Sequence, residues 1–183
     1  MAIGPGLTTD PETVALVGEL LPLIKCPLVI DADALNAIST HKNWLDILNP
    51  ETVLTPHPKE MSRLMGLATQ KIQKNRIATA SQFAADHSLT LVLKGSPSLI
   101  AMADGTVIIN PTGNAGMATG GSGDVLTGII AGLMAQGLPQ ASIAGSYIHG
   151  QAGDYFAKNE SETTLIAGDL LRSLPETLKR ILP

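Results

Sequence analysis

The sequence predicts an α/β fold: a mostly parallel, doubly wound sheet with helices on both faces. Three observations carry that reading. Strand and helix patterns alternate through the first half of the chain. The strand segments are apolar throughout rather than alternating, as in sheets covered on both sides. The residues that carry chemistry collect at the carboxyl ends of those strands, where open α/β sheets bind their ligands.

The elements follow in order. "PETVALVGELLPLIK" sets Val14, Val17, Leu20, Leu21 and Ile24 at helical spacing, with Asp10 as the expected cap and Pro11 in the first turn. "PLVIDAD" is a buried strand ending at two carboxylates, and "ALNAIS" is a short helix. "ETVLTPH" is a second strand; "PKEMSRLMG" starts on proline and stops on glycine, as a helix does. Lys71 to His87 reads as one longer amphipathic helix with Ile72, Phe83 and Ala84 on one side. "LTLVLKG" is a third strand, and "SLIAMADGTVIIN" is a strand pair turning at Asp104–Gly105. Asp124 to Gln136, Pro139 to Lys158 and Ala167 to Leu182 are helical by pattern, with Pro175 expected to kink or split the last.

The 183 residues read as a single domain, 1–183. An apolar fraction of 44% is enough for a packed core, and 15% charged residues is not a disordered composition. The net charge is −4 and no Lys or Arg cluster stands out, which argues against a nucleic-acid partner. A single cysteine, Cys26, excludes a disulfide framework and reads as a small buried apolar residue. The start "MAIGPGLTTD" has neither the basic nor the apolar region of a signal peptide, and Val125 to Ala135 is too short to cross a bilayer. The expectation is a cytoplasmic protein with no membrane partner.

The densest signal is "NAGMATGGSGDVLTG", residues 114–128, where Gly116, Gly120, Gly121, Gly123 and Gly128 surround Asp124. It is neither a Walker A loop, since no lysine follows, nor a dinucleotide fingerprint after a first strand. It does feed directly into an apolar helix. Helix N-termini present unpaired N–H groups and partial positive charge, and glycines let a phosphate approach them. Asp124 beside such an anion hole could take a proton from a hydroxyl attacking phosphorus, or it could simply cap the helix.

"GGSGDVLTG" is similar to the Gly-[Ala/Ser/Thr]-Gly-Asp signature of the ribokinase-like superfamily. The longer "NPTGNAGMATGGSGDVLTGIIAGLMAQG" resembles that of the ADP- or ATP-dependent NAD(P)H-hydrate dehydratases. The resemblance extends to "AIGPGL", "VIDADALN", "LTPHPKEMSRLMG", "VLKGSPSLIA" and "HGQAGDYFA", in order over almost the whole chain. It implies a ribokinase-like fold that repairs hydrated NADH and NADPH (NADHX and NADPHX), with ADP or ATP as co-substrate and Mg²⁺ as cofactor. The superfamily also holds small-molecule kinases, which would use the same anion hole and base. A nucleotide-binding protein without turnover is the third reading. Similar proteins carry an earlier strand–helix section that is missing here. The expectation is therefore an N-terminally incomplete domain, either less stable or covered by pairing in a homo-oligomer.

The resemblance also assigns residues. Asp124 is the base and touches substrate; Gly120, Gly121 and Gly123 hold the nucleotide's phosphate. His57 contacts the hydrated nicotinamide nucleotide, and its position before Pro58 stiffens the backbone and is expected to keep the imidazole from folding back onto the following helix. Gly6, in the Gly4-Pro5-Gly6 turn, lies against the dinucleotide; Thr8 stands where the family pattern has a further glycine. Lys94, Gly95, Ser96, Pro97 and Ser98 correspond to the nucleotide-binding stretch, with Ser-Pro replacing a pattern closer to Ala-x. Glu60, in a helix's first turn, is the metal-shell candidate, or else complements the helix dipole. Asp31 and Asp33 cap a helix, help hold magnesium or position substrate. His149 reads as a packing or interface residue.

Overall fold

The computed structural model describes residues 1–181, which divide into two compact units. The first comprises Met1–Gly95 and Leu99–Ile108; the second comprises Ser96–Ser98 and Ile109 onward.

The first unit is built on a six-stranded sheet whose spatial order is the sequence order: β1 (Ala2–Ile3), β2 (Leu28–Ile30), β3 (Thr52–Leu54), β4 (Thr90–Leu93), β5 (Leu99–Ala101) and β6 (Val107–Ile109). β1 to β4 are parallel, in a register that sets Ala2 beside Val29, Val29 beside Val53 and Leu54 beside Leu91. β5 runs antiparallel to β4 with Val92 opposite Ile100. The turn into β6 uses Gly105 at φ 83°, and Met102 N–H donates to Thr106 O at 2.9 Å.

The parallel strands are joined through α1 (Pro11–Leu20), α2 (Ala32–Thr40) and the run α3 (Pro58–Met65), α4 (Thr69–Lys74), α5 (Arg76–Asp86). Strand residues Leu28, Ile30, Leu54, Leu91 and Leu93 pack with Leu35, Ile38, Met61, Ile72 and Phe83 of these helices. The strand residues of opposite parity, Val29, Val53, Val92 and Ile100, are buried as well. Both faces are therefore out of water, which is why the strands read as unbroken apolar runs.

The second unit contains α6 (Ser122–Ala135), α7 (Ala141–Asn159) and α8 (Ala167–Ile181). Its core holds Val125, Ala152, Leu165 and Leu170. α6 and α7 approach closely at Gly145, where a Cβ would lie 2.7 Å from Ile130 Cγ1. Among the described residues no helix is long and apolar enough to cross a membrane.

Several expectations need correction. The helix read over Lys71 to His87 is two helices broken at Asn75 (φ −132°, ψ 39°), because periodicity survives a one-residue bend that keeps Ile72 and Phe83 buried. α8 continues through Pro175 without splitting; the expected end at Leu182 lies outside the described residues. Asp10 precedes α1 without capping it, its carboxylate accepting from Thr8 Oγ1 at 3.1 Å. Cys26 is exposed, not buried. β1, too short to show a pattern, was not anticipated.

Leu54 is fully buried and Leu23 is 71% exposed. Leu54→Ala should lower unfolding free energy by about 2–5 kcal/mol in urea titration, whereas Leu23→Ala should change it by less than about 0.5 kcal/mol.

Candidate functional site

In the first unit, the carboxyl ends of four parallel strands present the Gly4–Gly6 turn, Asp31, His57 and Lys94. Gly4 (φ 133°) abuts the Asp31 carbonyl so closely that no Cβ would fit there. Gly6 (φ 73°) is the opposite case, a position where a side chain would meet no neighbour. Thr8 also sits at positive φ (69°), the conformation glycine favours, held by Thr8 N–H to Asp33 Oδ2 at 2.9 Å.

Lys94 is paired with an acid at the neighbouring strand ends. Its Nζ lies 2.7 Å from Oδ1 of Asp31, a residue only 1% exposed, and 3.9 Å from Glu60 Oε2. Its N–H also donates to Pro56 O at 2.9 Å, so one residue ties the ends of β2, β3 and β4. Asp31 thus spends its carboxylate on this ion pair and not on capping α2. Asp33 accepts instead from Thr8 N–H and from Asn36 Nδ2.

His57 does fold back onto the helix it precedes. Its Nδ1 accepts from Lys59 N–H at 3.1 Å and Glu60 N–H at 3.2 Å, while Glu60 Oε2 accepts from His57 N–H at 2.7 Å. This is a capping box with histidine in the capping role. The extended backbone before Pro58 was read correctly; the side chain's short reach to the first-turn amides was missed. Because Nδ1 accepts, Nε2 carries the hydrogen and lies 3.3 Å from Glu60 Oε1. Burial, then the Lys94 ammonium and the Arg63 guanidinium, holds His57 below its ordinary 6.5. Burial pushes Glu60 above its ordinary 4.5, against the pull of Lys94. The contact is therefore closer to a hydrogen bond than to an ion pair. Both oxygens of Glu60 are engaged within the cluster. Among the described residues no three His, Cys, Asp or Glu side chains group as metal ligands.

Gly95 has φ 153°, and a Cβ there would lie 2.5 Å from Arg76 Nη2. Arg76, which sequence reading missed, donates from Nη2 to Leu93 O at 3.2 Å and Lys94 O at 3.4 Å. In the second unit, Ser98 O accepts Asn110 N–H at 2.9 Å; the Ser96–Pro97 peptide is cis.

The second unit carries the glycine loop. α6 begins one residue after Gly121 (φ 84°), with no side-chain cap. Ser122 N–H donates to Thr119 O at 3.3 Å and Val125 N–H to Gly121 O at 3.2 Å. The N–H groups of Gly120, Gly121, Gly123 and Asp124 donate to no other described residue. Asp124 is exposed in the first turn, and its carboxylate caps nothing. The loop rests on α7. Asp154 accepts from Gly113 N–H at 2.9 Å and Asn114 Nδ2 at 3.0 Å; Gly150 and Gly153 leave room only for Thr112 and Met117. His149 packs against the start of α6, its Nε2 lying 2.9 Å from Ser122 O.

The model of the NAD(P)H-hydrate dehydratase family matches residues 1–176. The chain belongs to that family. This dehydratase-family chain is 52% identical over 183 residues to a bifunctional NAD(P)H-hydrate repair enzyme of Moorella thermoacetica, covering 99% of this chain and 34% of that relative. The ADP/ATP-dependent NAD(P)H-hydrate dehydratase of Bacillus subtilis, co-crystallized with ATP/Mg²⁺, matches with a TM-score of 0.84 at 35% identity, over 98% of this chain and 63% of that one. A ribokinase-like superfamily protein of Enterococcus faecalis matches with a TM-score of 0.83 at 32% identity, over 98% and 62%. The α/β fold is thus ribokinase-like, and the chain spans less than two thirds of each of these proteins.

The His57–Glu60 box makes a pH prediction. His57's lowered value contributes stability that is present above 6.5 and lost as pH falls through its folded value. Glu60's raised value contributes stability that is present below 4.5 and lost as pH rises through its folded value. His57→Asn keeps a capping acceptor but removes the first of these slopes. Relative to wild type, the variant should therefore gain urea stability as pH falls from 7.5 to 5. Identical pH profiles would refute the assignment.

Proposed function

We propose that this chain carries the catalytic section of an ADP- or ATP-dependent dehydratase that returns NADHX and NADPHX to NADH and NADPH. The observation that carries the reading is the first turn of α6: an exposed, uncapping carboxylate, Asp124, beside the unused N–H groups of Gly120, Gly121 and Gly123. Membership of the dehydratase family supplies the substrate class.

The terminal phosphate of the nucleotide rests on those N–H groups, with the helix dipole behind it. Asp124 accepts the proton of the ring C6 hydroxyl as its oxygen attacks the terminal phosphorus. The bond from that phosphorus to the bridging oxygen breaks, releasing AMP from ADP or ADP from ATP. The C6–O bond then breaks with phosphate as leaving group, a neighbouring ring carbon loses a proton, and the C5–C6 double bond returns. Phosphorylation matters because hydroxide leaves poorly. Mg²⁺, when bound with the nucleotide's phosphates, offsets charge on the transferring group. His57 and Gly6 are assigned to the hydrated nucleotide, and Lys94, Gly95, Ser96, Pro97 and Ser98 to the adenine nucleotide, chiefly through main-chain groups because the Lys94 ammonium is already paired.

The reading extends to a homo-oligomer, supported by the unpaired sides of the outer strands β1 and β6. Light scattering should give a mass above that of one chain; a monomer at micromolar concentration would remove this part.

The enzymatic reading is tested by incubating the protein with NADHX, Mg²⁺ and ADP or ATP and following NADH absorbance. Asp124→Asn should cut turnover by about 10²–10⁴ while nucleotide affinity changes little. A stable phosphorylated alcohol without NADH would instead assign a kinase, and binding without product would assign a nucleotide-binding protein.

A further inference from the structure

We infer that His149 is a positioning residue for the catalytic turn, holding the first residues of α6 through a hydrogen bond to the Ser122 carbonyl. The inference rests on the reading of Asp124 as base, but its structural half stands independently.

The loop preceding α6 fixes its own shape only in part, through bonds such as Gly116 N–H to Asn114 Oδ1 at 3.1 Å. Between residues 113 and 123 it contains Gly113, Gly116, Gly120, Gly121 and Gly123. A side chain at Gly120 would meet nothing within 4 Å, so packing does not restrain that point. Glycine-rich backbone loses the most conformational entropy on ordering, and an anion hole works only if its donors are already in place.

The restraint comes from one face of α7. Ser146, His149, Gly150, Gly153 and Asp154 fall at i, i+3, i+4, i+7 and i+8, which is one helical stripe. The Ser146 carbonyl accepts Asn110 Nδ2 at 3.1 Å at the start of the loop. Gly150, Gly153 and Asp154 seat its middle. His149 reaches its end: Nε2 is 2.9 Å from Ser122 O and 3.3 Å from Ser122 Oγ. A carbonyl only accepts, so Nε2 carries the hydrogen and donates. Ser122 is 6% exposed and lies two residues before Asp124, between the two glycines whose N–H groups would hold phosphate.

This also explains "HGQAGD" in chemical terms. Each of its four distinctive residues touches the loop.

The experiment compares His149→Leu and His149→Asn, which lose the donor at that reach, with His149→Gln, whose amide nitrogen can stand near the Nε2 position. Amide hydrogen exchange of Val125 and Leu126 is measured in the ligand-free protein, together with ADP affinity by calorimetry and kcat and KM for NADHX. Leu and Asn should speed exchange in that turn about tenfold and lower kcat about 10- to 100-fold with KM little changed; Gln should restore most of both. Wild-type exchange in the turn for both Leu and Asn overturns the inference. So does faster exchange that Gln fails to slow. If wild-type protein neither binds ADP nor restores NADH, the dehydratase reading fails, and the exchange data still decide whether His149 holds the turn.

Discussion

The second unit depends on how closely α7 meets the segment that becomes α6. At Gly150 and Gly153 the main chain of the helix has no Cβ, and Thr112 and Met117 occupy the space one would fill. A methyl group at Gly150 would run into the Thr112 main chain and displace the loop, and with it the turns that Asp154 and His149 secure. Dispersion and hydrogen bonding fall off within a fraction of an ångström, so the loop keeps its shape only while that contact is intact. The unsatisfied N–H groups at the head of α6 are tolerable because they are at a surface where water or an anion can reach them.

The first unit solves a different problem. A parallel sheet gathers its strand ends on one edge, and here those ends are acidic and basic. Asp31 is almost wholly buried, and leaving its carboxylate alone there would cost several kcal/mol, so Lys94 must answer it. The same ammonium lies near Glu60, which lets a second buried carboxyl sit at the head of α3. Lys94 therefore acts less as a free surface charge than as a clasp across three strands. Arg76 ties the end of β4 differently, its guanidinium donating to two carbonyls rather than to an acid, and the φ of 153° at residue 95 favours glycine.

Much of this was legible from residue patterns. The apolar strands, the Asp104–Gly105 turn, the Pro58 start and the Gly66 stop of α3 all appear where local chemistry demands them, because each depends on neighbours in sequence. What was misread depends on distant groups or on reach. His57 was placed on stiff, extended backbone, which is right, yet its ring caps the helix. The partner of Lys94, Asp31, lies 63 residues away in sequence, so no local pattern announces the pair. Lys71 to His87 kept its periodicity through a break that only the packing of Ile72 and Phe83 makes affordable. Pro175 left α8 continuous.

The sequence by itself determined the class of fold, the family and the position of the glycine loop with its acid, since these are written in short-range order and in composition. Tertiary structure alone decided that Asp124 makes no capping bond, that Lys94 is committed to Asp31, and that His149 reaches the first residue of α6. Those facts turn on which side chains arrive at one point in space, and chain order does not specify that arrival until the core has packed.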